Sequence, residues 1–323
     1  MWMDTKARLL PDVITGPDQD FAASVIDGLS LPRKSLPCRF FYDARGSELF
    51  EEITRLPEYY PTRAEIAILE TYAAEMAGNT VENAVLVELG SGSSRKTEIL
   101  LGSLRGLAAY VPIDVSQSAL AEAKQRLSGS FPTLPVRPII GDFSQRLALP
   151  EDLASAEKLG FFPGSTIGNF PPPAASALLA AMRELLSPDG RLIVGVDLKK
   201  DARALVQAYN DAQGVTADFN LNLLARVNRE LDGSFDLACF RHEAIYNPRE
   251  GRIEMHLVSC KDQAASVRGR WFWFHAGETI HTENSYKYTI GQFQELARTA
   301  GWHRGRVWTD AGKLFSVHEL VVG

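Results

Sequence analysis

The sequence predicts an α/β protein: a doubly wound, largely parallel sheet with an antiparallel C-terminal strand pair, plus a smaller α+β unit. Three observations predict it. Short apolar runs alternate with longer helical patterns through the middle of the chain, as in βαβ units. A tight Gly90-Ser91-Gly92 turn follows the first such run. The next two runs end in carboxylates, Asp114 and Asp142.

The elements follow in order. Between Pro11, Pro17, Pro32, Pro37, Pro57 and Pro61, two short helices are expected over Phe21–Leu29 and Gly46–Ile53. A longer helix, Ala64–Ala77, leads into the strand Ala84–Leu89 and, past the glycine turn, a helix from Lys96. Strands are expected at Ala109–Asp114, Val136–Gly141, Lys158–Phe162 and Arg191–Val196, with helices Gln117–Leu127 and Ala174–Leu186 between them. From Lys199 to Tyr286 the pattern changes. Two helical stretches precede strand-like runs at Leu237–Asn247, Arg252–Lys261 and Gly269–Phe274. Trp271 and Trp273, at alternate positions, are expected to form one packed strand face. A helix, Ile290–Ala300, and two strands, Gly305–Thr309 and Leu314–Leu320, close the chain. The domain reading assigns 63–198 and 287–323 to the nucleotide-type sheet, and 1–62 and 199–286 to a second unit.

Composition narrows the function classes. The 323 residues are 45% hydrophobic and 23% charged, enough for a full core without disulfides or metals. The balance of 34 basic against 40 acidic residues, net −6, disfavours nucleic acid as a partner. Three scattered cysteines, Cys38, Cys239 and Cys260, fit neither a disulfide framework nor a metal site and read as buried thiols. No leader or bilayer-length apolar run is legible, so a cytoplasmic, monomeric enzyme with no membrane partner is expected.

The chemistry concentrates at the strand ends. Glu88-Leu89-Gly90-Ser91-Gly92-Ser93-Ser94-Arg95-Lys96-Thr97 narrowly misses two phosphate-binding fingerprints, because Arg95 stands where each needs glycine. What remains is a turn whose missing side chains let a ligand approach the backbone. Asp114 lies 24 residues after Gly90, about where a carboxylate meets ribose hydroxyls. In Gly141-Asp142-Phe143, Asp142 can accept from an adenine amino group while Phe143 packs on its face. Three such loops fit a nucleoside without a pyrophosphate, and S-adenosylmethionine belongs to that class.

The sequence resembles the class I (Rossmann-like) methyltransferases that trimethylate the α-amino group of L-histidine to hercynine in ergothioneine biosynthesis. The resemblance rests on Phe40-Phe41-Tyr42-Asp43-Ala44-Arg45-Gly46-Ser47, Thr54–Arg63 with Pro57-Glu58-Tyr59-Tyr60-Pro61-Thr62, and Val87–Ser93. It continues through Gly164-Ser165-Thr166-Ile167-Gly168-Asn169, Ala208-Tyr209-Asn210-Asp211, Val227–Leu231 and Arg252-Ile253-Glu254-Met255, covering nearly the whole chain. It implies S-adenosylmethionine against Gly90, Lys96, Asp114, Asp142 and Phe143. It places the histidine backbone at Tyr42, Tyr59, Asn169 and Tyr209, and the imidazole at Glu283 and Ser285 with Met255 nearby. Tyr42, or a water it holds, is the candidate base, and Asn169 orients the amine.

Each residue also has a plainer reading. Asn169 before Phe170-Pro171-Pro172-Pro173 suits a turn. It is also similar to the Asn-Pro-Pro-aromatic loop of enzymes that methylate exocyclic amines, although Phe170 interrupts it. Another amino acid, or an exocyclic nucleic-acid amine, is therefore the alternative substrate. The phenols could be core residues, Lys96 a solvated helix residue countering nothing, and Glu283 a surface carboxylate. His281-Thr282-Glu283 lacks a matching ligand cluster, so no metal is expected.

Overall fold

The computed structural model describes residues 17–90, 95–115, 117–141 and 147–322. Helices α1 (Pro17–Ser30), α2 (Ala44–Ile53) and α3 (Tyr60–Ala77) lead into β1 (Val85–Leu89), α4 (Arg95–Ser103), β2 (Ala109–Asp114) and α5 (Gln117–Ser130). The short β3 (Ile139–Ile140), β4 (Lys158–Phe162), α6 (Pro172–Leu186) and β5 (Arg191–Asp197) complete the alternation. Next come α7 (Ala202–Ala208), α8 (Val215–Glu230) and strands β6 (Phe240–Asn247), β7 (Arg252–Ser259), β8 (Gln263–Val267), β9 (Arg270–Phe274) and β10 (Thr279–Tyr286). The chain ends in α9 (Ile290–Thr299), β11 (Trp302–Thr309) and β12 (Phe315–Val322). Prolines in the first turn start α3 and α6, where a missing N–H costs nothing, and Thr289 with Gln292 forms a capping box for α9.

The main sheet runs β11-β12-β5-β4-β1-β2-β3. β1 pairs in parallel with both β2 and β4, while β12 is antiparallel to β5 and β11. Strand order therefore reverses at β1, which opens a crevice at the carboxyl ends of β1, β2 and β4. β1, β4 and β5 are buried along their whole length, so their apolar runs are continuous rather than alternating. One apolar cluster packs on each face of this sheet. A third joins α1, α2, α7 and α8 to β6–β10, and holds Phe21, Phe41, Phe219, Met255 and Ile280.

Several expectations need correction. Of Val136–Gly141, only Ile139–Ile140 pair fully, with Ile113 and Asp114; Val136 makes a single bridge to Tyr110, and Pro138 has no N–H to continue the ladder. β8 and β10 were not anticipated. β10 carries polar residues towards the cleft, so its sequence lacks an apolar alternation. Trp271 and Trp273 are 62% and 72% exposed; Phe272 and Phe274 form the packed face of β9 instead. Cys38 and Cys239 are half-buried and Cys260 is exposed, because Cys260 sits just past the end of β7.

Candidate active site

A cleft of about 940 Å³ lies between the strand ends of the main sheet and the face of β7 and β10. Tyr42, Tyr59, Gly90, Lys96, Asp114, Asn169, Tyr209, Met255, Glu283 and Ser285 all line it. Asp142 and Phe143 lie outside the described residues.

One wall comes from the sheet. Gly90, directly after β1, has φ +72°, a conformation that favours glycine, and its N–H is held by the Ile113 carbonyl at 2.9 Å. Asp114 is the last residue of β2. Beneath them Glu88 is buried, accepting from Thr97 at 2.8 Å and from Tyr110. Burial lifts its carboxyl to about 8, although these two hydroxyls oppose the rise. Lys96 is not a free cation. Its ammonium sits 2.6 Å from the buried Glu65, which also accepts the Gly164 N–H at 2.9 Å. The α4 start and the loop after β4 are thereby tied to α3.

A second group positions the phenols and the amide. The Arg63 guanidinium donates to the carbonyls of Leu56 (2.6 Å), Pro57 (2.6 Å) and Tyr59 (3.2 Å), which fixes the turn presenting Tyr59. Asp43 caps α2 through the Gly46 N–H and accepts from Asn222 at 2.8 Å, which holds the backbone next to Tyr42. Tyr209 ends α7, and its carbonyl accepts from the His242 ring at 2.8 Å. Tyr59 and Tyr209 meet edge to face with centroids 6.2 Å apart. Burial, reinforced by Glu283, pushes the phenols of Tyr42 and Tyr209 well above their usual range; for Tyr59, burial is followed by the neighbouring Tyr209 and then Glu283. Asn169 closes a single 3₁₀ turn, Thr166–Asn169, after β4. That turn packs so closely on β10 that a Cβ at Gly168 would lie 2.8 Å from the Tyr286 carbonyl oxygen.

The opposite wall depends on a bulge. β10 pairs Ile280 with Leu257 but Glu283 with Met255, so one extra residue lies between His281 and Glu283. The Thr282 hydroxyl donates to the Met255 carbonyl at 3.1 Å within this irregularity. Side chains alternate along a strand, so the extra residue turns Glu283 and Ser285 onto the Met255 face. Without it they would face away from the cleft. Glu283 is 9% exposed, and burial raises its carboxyl to about 7, with Lys287 pulling the other way. No hydrogen-bond donor meets this carboxylate among the described residues.

Sequence reasoning missed the groups behind these walls. Lys287 is fully buried, with its ammonium 2.7 Å from Ser285 Oγ, 3.0 Å from the Tyr209 hydroxyl and 2.8 Å from Asp197. Asp197 also pairs with Lys200 at 2.5 Å and accepts from Tyr60 at 2.8 Å. Burial pushes the Asp197 carboxyl up, but Lys287 and Lys200 outweigh it and hold it below its usual value. Signals existed for three of the missed groups. Asp197 is a further carboxylate at a strand end, and Glu65 interrupts the apolar face of α3. Lys287 continues the alternation of Glu283 and Ser285.

A parallel sheet with β12 inserted antiparallel beside β5, and a crevice at its switch point, is the fold of a class I methyltransferase. A family model for histidine-specific, S-adenosylmethionine-dependent methyltransferases matches residues 21–322, and the chain belongs to that family. It is 43% identical over 291 residues to histidine N-alpha-methyltransferase of Mycobacterium tuberculosis, covering 88% of this chain and 90% of that one. The Mycolicibacterium smegmatis protein of the same name is 42% identical, covering 88% and 89%. Ergothioneine biosynthesis protein 1 of Neurospora crassa is 31% identical over 89% of this chain, which spans 33% of its length.

Proposed function

We infer that this protein transfers methyl groups from S-adenosylmethionine to the α-amino nitrogen of L-histidine, three times in succession, giving hercynine. The observation that carries the reading is the shared cleft. It joins a positive-φ glycine and a strand-end carboxylate, suited to a nucleoside, to a desolvated carboxylate that no donor among the described residues meets. Gly90 and Asp114 fit the cofactor: the glycine leaves its backbone open to close approach, and Asp114 can accept from ribose hydroxyls. Lys96, already neutralised by Glu65, holds the cradle in shape rather than countering a ligand charge alone. Asp142 and Phe143 are assigned to the adenine on sequence grounds.

The bound cofactor supplies a methyl group on sulfonium sulfur, already activated for transfer to a neutral amine. The chain's own work is orientation and exclusion of water. Tyr59 donates to the substrate carboxylate, Tyr209 lines the substrate site beside it with its hydroxyl turned to Ser285 and Lys287, and Asn169 accepts an amine hydrogen so that the lone pair faces the methyl carbon. Tyr42 is held protonated by burial and by Glu283, which weighs against a phenolate base. Its hydroxyl orients the amine instead. Glu283 accepts the imidazole N–H, and Met255 sets the width of the ring site.

Labelled S-adenosylmethionine offered with histidine, with other amino acids and with nucleic acid tests the reading. Label in histidine, appearing successively as mono-, di- and trimethyl forms, is the expected result. Preferential label in tryptophan, tyrosine or nucleic acid would overturn it.

A further inference from the structure

Lys287 touches the reading of the imidazole without touching the substrate. Its three ammonium hydrogens are fully committed, to Ser285 Oγ at 2.7 Å, to the Tyr209 hydroxyl at 3.0 Å and to Asp197 at 2.8 Å. Ser285 Oγ and the Tyr209 hydroxyl are themselves 2.7 Å apart, and one of them donates to the other. The phenol is the stronger acid, so it is the better donor, and serine the better acceptor. Ser285 then accepts from both Lys287 and Tyr209. Both of its lone pairs are filled, and its one hydrogen is left for the cleft.

Charge points the same way. Lys287 and Lys200 face a single buried carboxylate, Asp197, with Tyr60 and Tyr209 as the adjoining hydroxyls. On the other side of Ser285 the buried Glu283 carboxyl lines the cleft. A cationic ring at Ser285 would meet the Lys287 ammonium behind one oxygen atom and would have to donate to an oxygen whose lone pairs are taken.

We propose that Lys287 is a positioning residue that turns Ser285 into an obligate donor, so that the site binds the imidazole as the neutral ring. The ring's unprotonated nitrogen accepts from Ser285 and its N–H donates to Glu283. This rests on the histidine reading above and adds the protonation state to it. The device distinguishes histidine from substrates that present only a donor at that point, as the indole N–H does.

The direct test is the nitrogen NMR spectrum of histidine labelled in the ring, bound to the intact protein with S-adenosylhomocysteine at pH 7. One protonated and one unprotonated nitrogen are expected; two protonated nitrogens overturn the proposal. Failure of labelled histidine to bind at all overturns the underlying substrate reading instead. The second arm is Lys287→Met, which keeps the length of the chain while Asp197 retains Lys200 and Tyr60. Its KM for histidine should rise about tenfold or more with cofactor affinity unchanged, and the effect on kcat should be smaller. Its KM should also respond less to acidification than that of the wild type, because the ring no longer has to be neutral. A folded variant with the wild-type KM and the wild-type pH response overturns the proposal. Should Lys287→Met not fold, the wild-type spectrum decides alone.

Discussion

The two walls of the cleft are polar for different reasons. On the sheet side, backbone and the strand-end carboxylate Asp114 face the cleft, as in any open α/β sheet, and the buried acids behind them are paired, Glu88 with Thr97 and Tyr110 and Glu65 with Lys96. On the β7–β10 side polarity comes from buried side chains: Glu283 without a donor among the described residues, Ser285 held by Lys287, and Lys287 held by Asp197. The first arrangement costs the fold little. The second is costly in the ligand-free protein, because a desolvated carboxylate is unfavourable until a donor arrives. That cost is what allows discrimination, since a ligand without the donor leaves the penalty in place. The cofactor wall thus uses groups generic to the fold, and the wall proposed for the substrate uses buried side chains.

If the walls divide the work in this way, substitutions should separate by wall. The largest effect should come from Glu283→Ala, which removes the acceptor proposed for the imidazole N–H. The histidine-to-tryptophan ratio of kcat/KM should fall by up to about 10⁴-fold, the scale of discrimination by unpaired polar groups. Adding Met255→Val should widen the site and move the ratio further. A ratio that stays put would mean the ring is read elsewhere. Asn169→Ala comes next, lowering kcat by about 10²-fold through lost orientation while calorimetry finds the cofactor affinity intact. Joint loss of cofactor binding and folding would instead make Asn169 a turn residue. On the other wall, Asp114→Ala should weaken S-adenosylmethionine binding by about 1.5–3 kcal/mol with the histidine preference preserved. Unchanged affinity would remove Asp114 from the cofactor site.

The smallest effect is on stability, and its sign follows from burial. The Glu283 carboxyl is raised to about 7 in the folded protein from 4.5, so the folded state holds its proton more tightly than the unfolded chain. Below about pH 4.5 both states are protonated and nothing is lost; as pH climbs through 7 the unfolded state gains. Glu283→Gln should therefore match the wild type at pH 4 and exceed it at pH 8 by about 1–3 kcal/mol, seen as a Tm difference that grows with pH. A constant offset across that range would show that Glu283 is not desolvated in solution.

The sheet and its glycine turn were legible because their signals are local. Continuous apolar runs mark β1, β4 and β5, and a strand–glycine–helix order marks the crevice wherever the rest of the chain goes. Tyr42, Tyr59, Asn169, Tyr209 and Glu283 were reachable through resemblance, and they do line one cleft. Their residue types alone did not separate them from core phenols, turn amides and surface acids. β10 was missed because an extra residue breaks its alternation and its inward side chains are polar. Asp197, Lys200, Lys287 and Glu65 were missed for a related reason. A charged residue in a sequence reads as solvated, and what makes it otherwise is a partner distant in the chain, Lys96 for Glu65, Asp197 for Lys287 and Tyr60 for Asp197 and Lys200. The sequence by itself therefore determined the alternating architecture, the nucleotide-facing turn and the candidate residue types. Only the tertiary structure decided which carboxylates are desolvated, which ammonium groups neutralise them and which face of β10 meets the cleft, because burial and pairing are properties of neighbours in space.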